Sequence, residues 1–434
     1  MSAQEAVGTP VRGLRRFARS DIARHGIVTF AASMGVNAFN YVFHLLNIRL
    51  LGVAEYGVVS AMIAAISIFA VPGVIVQQTL VKLSSELYAA GSPDRVRALA
   101  DRVLAVVGIV AVAAFFVGLA FRGPIASYLE LDRSGAVVVG LAIFAVGLLT
   151  PAMRGVLQGV HDFHGFSISM WIEGAIKTLL GVGLVVLGLR AEGALAGMFL
   201  ASVCAAAYAL RRIRRDVGAT AAPLHLDVRR LATTTVGVTL ATAAITTLSY
   251  ADVVLVKHYF APDVAGVYSA VALIGKTILF FVGFLPIVVL PHVTARAATG
   301  APTRGVLLQA GAVLIAILAV CLGAFLFAPG AIMAIAAGAR YAAGIPYLFA
   351  YGSAMALLGC TSFAVAYRIG LHRFSFIVPL VAVTLGELVA IALHHGSIRD
   401  VIHVMIVANA CALLAVVATP ERRIASAVTV PSAA

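Results

Sequence analysis

Five ionisable residues stand inside long apolar stretches. They are Glu173 and Lys177 in WIEGAIKTLLG, Asp252 in SYADVVLVKHYF, Lys276 in VALIGKTILFF and Glu387 in VTLGELVAIAL. A charge at mid-membrane costs about 2.5–3.5 kcal/mol on insertion scales, so each needs a partner, a wet cavity or a ligand. Glu173 and Lys177 are four residues apart with the acid N-terminal, the favoured order for a pair on one helical face. Such a pair either neutralises itself or lines a cavity and exchanges partners. Lys276 has no carboxylate three or four residues away, so it faces a cavity or pairs across helices with Asp252, Glu173 or Glu387. A lone cation in a hydrated path suits phosphate oxygens, which accept charge-assisted hydrogen bonds strongly. Asp252 and Lys257 are about 140° apart around a helix and do not face each other. Lys257 is expected to mark an outer interface, with Asp252 roughly 7 Å deeper. There Asp252 either sits in a partly wet vestibule or gates by pairing with Lys276 or Arg49 in one state only. Arg49 and Arg154 end their spans, where they could hold phosphate or simply snorkel to the interface. Substrate-binding candidates are therefore Lys276, Lys177, Glu173 and Arg49; gate or ion-coupling candidates are Asp252, Lys257 and Glu387. The four cysteines, Cys204, Cys321, Cys360 and Cys411, have neither metal nor redox spacing and read as small core residues. No catalytic residue, metal or cofactor is expected.

The elements that position these charges follow from composition. Of 434 residues, 62% are hydrophobic and 11% charged, with mean hydropathy +1.04. A soluble domain carries roughly a quarter charged residues and could not hide this much apolar surface. The chain reads as an all-α polytopic membrane protein. About twelve spans are expected, at 27–48, 57–79, 103–121, 136–157, 167–187, 194–210, 235–256, 266–288, 307–328, 345–366, 376–393 and 401–418. Prolines in AVPG (70–73), LTPAMRG (149–155) and FLPIVVLP (284–291) are expected to bend their spans.

An even number of spans puts both termini on one side. Placing them in the cytoplasm puts 22 of the 31 Lys and Arg there and seven opposite, with Lys177 and Lys276 inside spans. That bias supports this orientation. The net charge of +13 is thus spread along one membrane face, which argues against nucleic acid as a partner. The chain also repeats: RLLGVAEYGVVSA (49–61) overlies HYFAPDVAGVYSA (258–270), and later GVHDF (159–163) overlies GLHRF (370–374). Two parallel six-helix repeats around a central cavity are expected, the design of many secondary transporters. Residues 1–26 form a basic amphipathic N-terminal segment, 27–210 the first lobe, 211–234 a basic cytoplasmic linker, 235–418 the second lobe and 419–434 a tail.

NIRLLGVAEYGVVSAMIA, RGVLQGVHDFHGFSI (154–168) and DVVLVKHYFAPDVAGVYSA (252–270) together resemble the Wzx-type polysaccharide flippases of the multidrug/oligosaccharidyl-lipid/polysaccharide (MOP) exporter superfamily. That resemblance implies a multi-pass, monomeric protein of the bacterial cytoplasmic membrane. It implies transfer of polyprenyl-pyrophosphate-linked oligosaccharide to the outer leaflet, with membrane lipids and other glycan-assembly proteins as partners. Lipid II flippases of the superfamily usually carry two further helices, which are not found here. The competing readings are a drug/ion antiporter of the MATE type, disfavoured by Lys177 and Lys276, and a polytopic enzyme of glycan assembly, disfavoured by the short loops.

Overall fold

A computed structural model describes residues 21–131, 134–217, 228–283, 302–371 and 373–420, with six positions between 285 and 296. The basic N-terminal residues 1–20, residues 218–227 of the 211–234 linker and the tail beyond 420 lie outside the described residues. Everything regular among the described residues is helix, the structure in which a lipid-embedded backbone satisfies its own polar groups. The α-helices run α1 (Asp21–Leu50), α2 (Val53–Phe69), α3 (Val71–Ala89), α4 (Pro93–Ala120), α5 (Arg122–Tyr128), α6 (Gly135–Gly159), α7 (Phe163–Leu184) and α8 (Arg190–Asp216). They continue as α9 (Val228–Tyr259), α10 (Pro262–Gly275), α11 (Thr277–Val282), α12 (Arg304–Phe327), α13 (Pro329–Ala336), α14 (Leu348–Gly370), α15 (Ile377–Leu393) and α16 (Ile398–Ala418). A π-turn, Val185–Leu189, follows α7, and a 3-10 segment, Ala339–Tyr347, precedes α14.

Eight described stretches are individually long and apolar enough to cross a bilayer, and nine if the bent pair α2–α3 counts as one span. One of the eight, Phe163–Asp216, turns back at Gly188 (φ 90°) and Arg190 (φ 48°, ψ −142°), so α7 and α8 pack together as two crossings. With the 30-residue α1 and the 17-residue α15, this matches the twelve-helix plan read from the sequence. Large apolar side chains point outward, as a lipid-facing surface requires: Ile109 is 71% exposed on α4 and Phe327 86% on α12. Cys204 and Cys411 are also exposed, and Cys321 and Cys360 only half-buried, so the cysteines are not the core residues expected. In lipid an apolar residue gains nothing from facing inward.

Local chemistry sets the helix ends. Ala70 separates α2 from α3, which bend by 44° at AVPG as expected. Pro151 remains inside α6 without ending it, and most of FLPIVVLP lies outside the described residues. Asp162 caps α7 by accepting from the Gly165 N–H at 2.9 Å, and it also bonds Arg212 at 2.8 Å. Burial alone would raise the Asp162 carboxyl. The Arg212 guanidinium and the Gly165 N–H outweigh that and hold it below the usual carboxylate range. Ser397 caps α16 through the Asp400 N–H.

The chain forms two compact units: residues 1–46, 73–119 and 141–226, and residues 47–72, 120–140 and 227–434. The first has a core where α3, α4, α6, α7 and α8 meet, around Leu80, Leu99, Val156, Leu157 and Ile213. In the second, α2 packs on both α9 and α10. The crossing of α2 and α10 runs through Gly57 and Gly266, the paired glycines of the sequence repeat. A Cβ at Gly57 would lie 3.1 Å from the Gly266 backbone, and one at Gly266 only 2.0 Å from the Val53 carbonyl oxygen. The repeat therefore meets itself here, element against counterpart.

Candidate functional site

Four helices of the second unit converge on Asp252. It sits on α9, is 1% exposed, and its Oδ2 accepts from the hydroxyls of Tyr268 (α10) and Tyr351 (α14), each at 2.8 Å. The two tyrosine rings meet edge to face, 5.7 Å apart. Gly275 makes room for this, since a Cβ there would lie 2.3 Å from Tyr351 Cδ1. Lys276 follows at the break between α10 and α11, with Nζ 3.7 Å from Asp252 Oδ1 and 4.6 Å from the centre of the Tyr250 ring. That is an ion pair beyond direct hydrogen-bonding distance, and Oδ1 is a buried oxygen with no hydrogen bond. Glu387 on α15 is 3% exposed and within electrostatic reach of Asp252. On α16, Met405 Sδ touches the Tyr268 hydroxyl, and Asn409 one turn on is fully buried with neither amide atom hydrogen-bonded.

The two phenols hold the carboxylate firmly, whereas the ammonium is held loosely by charge and a ring face. An anion with better geometry could draw Lys276 away without leaving Asp252 bare. Of the partners considered for Lys276, the structure selects Asp252.

In the first unit the expected Glu173–Lys177 pair is replaced by contacts across helices. Arg154, near the end of α6, donates to Glu173 Oε2 at 2.7 Å and to the Ser169 carbonyl at 3.0 Å; Ser202 on α8 donates to Glu173 Oε1 at 3.2 Å. Lys177 donates to Asn40 Oδ1 on α1 and lies 5.2 Å from the Phe43 ring centre. The physical reason is magnitude. An i,i+4 pair contributes about 0.2–0.5 kcal/mol, a charged hydrogen bond about 1.5–3 kcal/mol, so the interhelical partners win. Arg154 is thereby committed within the protein.

Two further expectations change. Lys257 does not mark an exposed interface: it is 2% exposed, with Nζ 3.5 Å from the Glu130 carbonyl. Arg49 donates to the Ile335 carbonyl rather than pairing with Asp252. Sequence reasoning missed Tyr268, Tyr351 and Asn40. Only Asn40 left a signal, as an amide inside an apolar span.

Residues 22–295 match the family described as "Polysaccharide biosynthesis protein". The chain belongs to that family. No curated protein matches it. Among solved structures, the family's fold in this chain is similar to an inward-facing multidrug resistance MATE transporter of the MOP superfamily, with TM-score 0.73, 13% identity, and 90% of this chain and 96% of that one covered. An outward-facing MATE transporter of the MOP superfamily gives TM-score 0.64, 14% identity, and 92% and 96% coverage. A MOP superfamily transporter from Pyrococcus furiosus Vc1, described as having a binding pocket of reversed polarity that suggests a different function, gives TM-score 0.58, 14% identity, and 91% and 93% coverage. At these identities the likeness establishes the fold: the family member described here is a multi-pass membrane protein with MOP transporter architecture.

Proposed function

We propose that this protein is a flippase that moves polyprenyl-pyrophosphate-linked oligosaccharide from the cytoplasmic to the outer leaflet for cell-surface polysaccharide assembly. The observation that carries the reading is the loosely held Lys276 ammonium in a chain of the polysaccharide biosynthesis family. A pyrophosphate diester competes for that ammonium with strong acceptor oxygens, while Tyr268 and Tyr351 keep Asp252 solvated. Asp252 and Glu387 serve as the coupling or gating carboxylates; Lys177 and Glu173 contribute polar surface in the first lobe. The lobes are 27–210 and 235–418, joined by the basic linker 211–234. The protein sits in the bacterial cytoplasmic membrane with both termini inside, in keeping with its basic-residue bias. It acts by alternating access and not as an enzyme, with other glycan-assembly proteins as its partners.

The second reading, a drug/ion antiporter, is favoured by the MATE structures among its fold relatives. Such a protein exports cations, which an ammonium beside the carboxylate opposes.

The test is surface-glycan production in a deletion strain, rescued by wild type or by Lys276→Ala at matched membrane abundance. Loss of the charged contact should cut glycan output roughly tenfold or more, the scale of a charged hydrogen bond of about 1.5–3 kcal/mol. Deletion should trap lipid-linked oligosaccharide on the cytoplasmic leaflet. Intact glycans together with new sensitivity to cationic drugs would replace the flippase with the antiporter.

A further inference from the structure

A separate cavity of about 330 Å³ opens between α12, α14 and α16, within the range of small-molecule sites. Its long walls are apolar. Leu307 and Leu314 line it on α12, seven residues apart, and Cys360 and Tyr367 on α14, also seven apart. At 1.5 Å per residue that is a groove roughly 10 Å long, parallel to the helices. Its charge is confined to one end, where Arg368 and Arg373 both contribute to the wall.

Arg368 is 8% exposed and, among the described residues, has no carboxylate partner. Its guanidinium donates to the carbonyls of Val416 and Thr419 and to the Ser375 hydroxyl, and lies 5.6 Å from the Phe376 ring centre. Arg373 is close enough for its charge to act on Arg368. The repeat sharpens the point. GVHDF in the first half places Asp162, which caps a helix and binds Arg212. GLHRF in the second half places Arg373 at that position instead, and α15 starts from Phe376 with no side-chain cap. The acid that caps a helix in the first half is thus a base in the second, set four residues before α15 begins at Ile377.

We infer that this groove binds an anionic phospholipid of the surrounding bilayer, its headgroup phosphate at Arg373 and Arg368 and an acyl chain along the wall formed by Leu307, Leu314 and Cys360. Charge at one end and hydrocarbon along the rest is the complement of an anionic lipid, and basic pockets between membrane helices bind such headgroups. The site is distinct from the Asp252–Lys276 pair, and its occupancy does not depend on what the protein transports.

The test uses the purified full-length protein, delipidated in detergent and exposed to phosphatidylglycerol or to phosphatidylcholine of matched chains, with bound lipid counted by native mass spectrometry. Wild type should retain phosphatidylglycerol and discriminate against phosphatidylcholine. Arg373→Gln should weaken phosphatidylglycerol retention roughly fivefold, about 1 kcal/mol for one basic residue at the membrane surface. Ala364→Phe, which narrows the groove and leaves both arginines, should weaken it as well. Retention unchanged in both variants would overturn the proposal. So would protection of the phosphatidylglycerol-free protein by inorganic phosphate alone, which would mark a free-anion site. Binding of a polyprenyl pyrophosphate without phosphatidylglycerol would also overturn it, by assigning the groove to transported lipid.

Discussion

At the scale of residues, the Asp252–Lys276 pair sets a fully buried carboxylate, one oxygen of it without a hydrogen bond, against an ammonium whose side chain stays 17% exposed. Removing one member of a buried ion pair strands the other, at a cost of about 3–5 kcal/mol, whereas removing both can be nearly neutral. Lys276→Met and Asp252→Asn should therefore each lower the melting temperature of the purified protein. The double variant should recover much of the loss while remaining unable to support glycan export. Single variants that melt like wild type would show that the two charges are uncoupled. Part of this site was legible in the sequence. Asp252, Lys276 and Glu387 stand out because an ionisable residue in apolar sequence is costly. Tyr268 and Tyr351 do not, because tyrosine is at home in membrane helices, and Tyr351 reaches Asp252 across 99 residues of chain. Glu173 misled for the opposite reason: its neighbour on the same helix is visible in the sequence, while its stronger partner Arg154 comes from another helix.

At the scale of elements, the helices were the readable part. Among the described residues, the twelve spans expected from apolar runs fall on helices, the eighth as far as Val282. Their breaks were less readable. AVPG announces its bend through proline, but the break at Lys276 has no proline, and Pro151 bends nothing enough to end α6. Helix contacts depend on close approach, which a small residue permits without advertising. The crossing of α2 and α10 makes a graded prediction. At Gly266 an added methyl would fall 2.0 Å from a backbone oxygen, whereas at Gly57 it would fall 3.1 Å from backbone atoms. Gly266→Ala should sharply reduce the monodisperse fraction on size-exclusion chromatography, and Gly57→Ala should do so only mildly. Equal behaviour of the two variants would mean that the crossing is looser than described.

At the scale of the whole molecule, family and fold agree on a multi-pass membrane protein with transporter architecture, and the distribution of basic residues makes a prediction about its orientation. A fluorescent reporter that matures only in the cytoplasm should light up when fused to the C-terminus. A phosphatase active only outside should work when fused after Gly396, in the connection between α15 and α16. The reverse pattern would invert the orientation and move Arg373 to the outer face. The contact of Gly57 with Gly266 has a consequence for descent. A half-length ancestor that paired with a second copy of itself would have met its own glycine at this point, so any larger residue there would have struck twice in a single mutational step. Duplication and fusion separate the two copies in the gene but leave both glycines hemmed in at one crossing, Gly57 by the Gly266 backbone and Gly266 by Val53. Such a position is expected to hold its residue long after the surrounding sequence has drifted, which accounts for a repeat still visible around these two glycines.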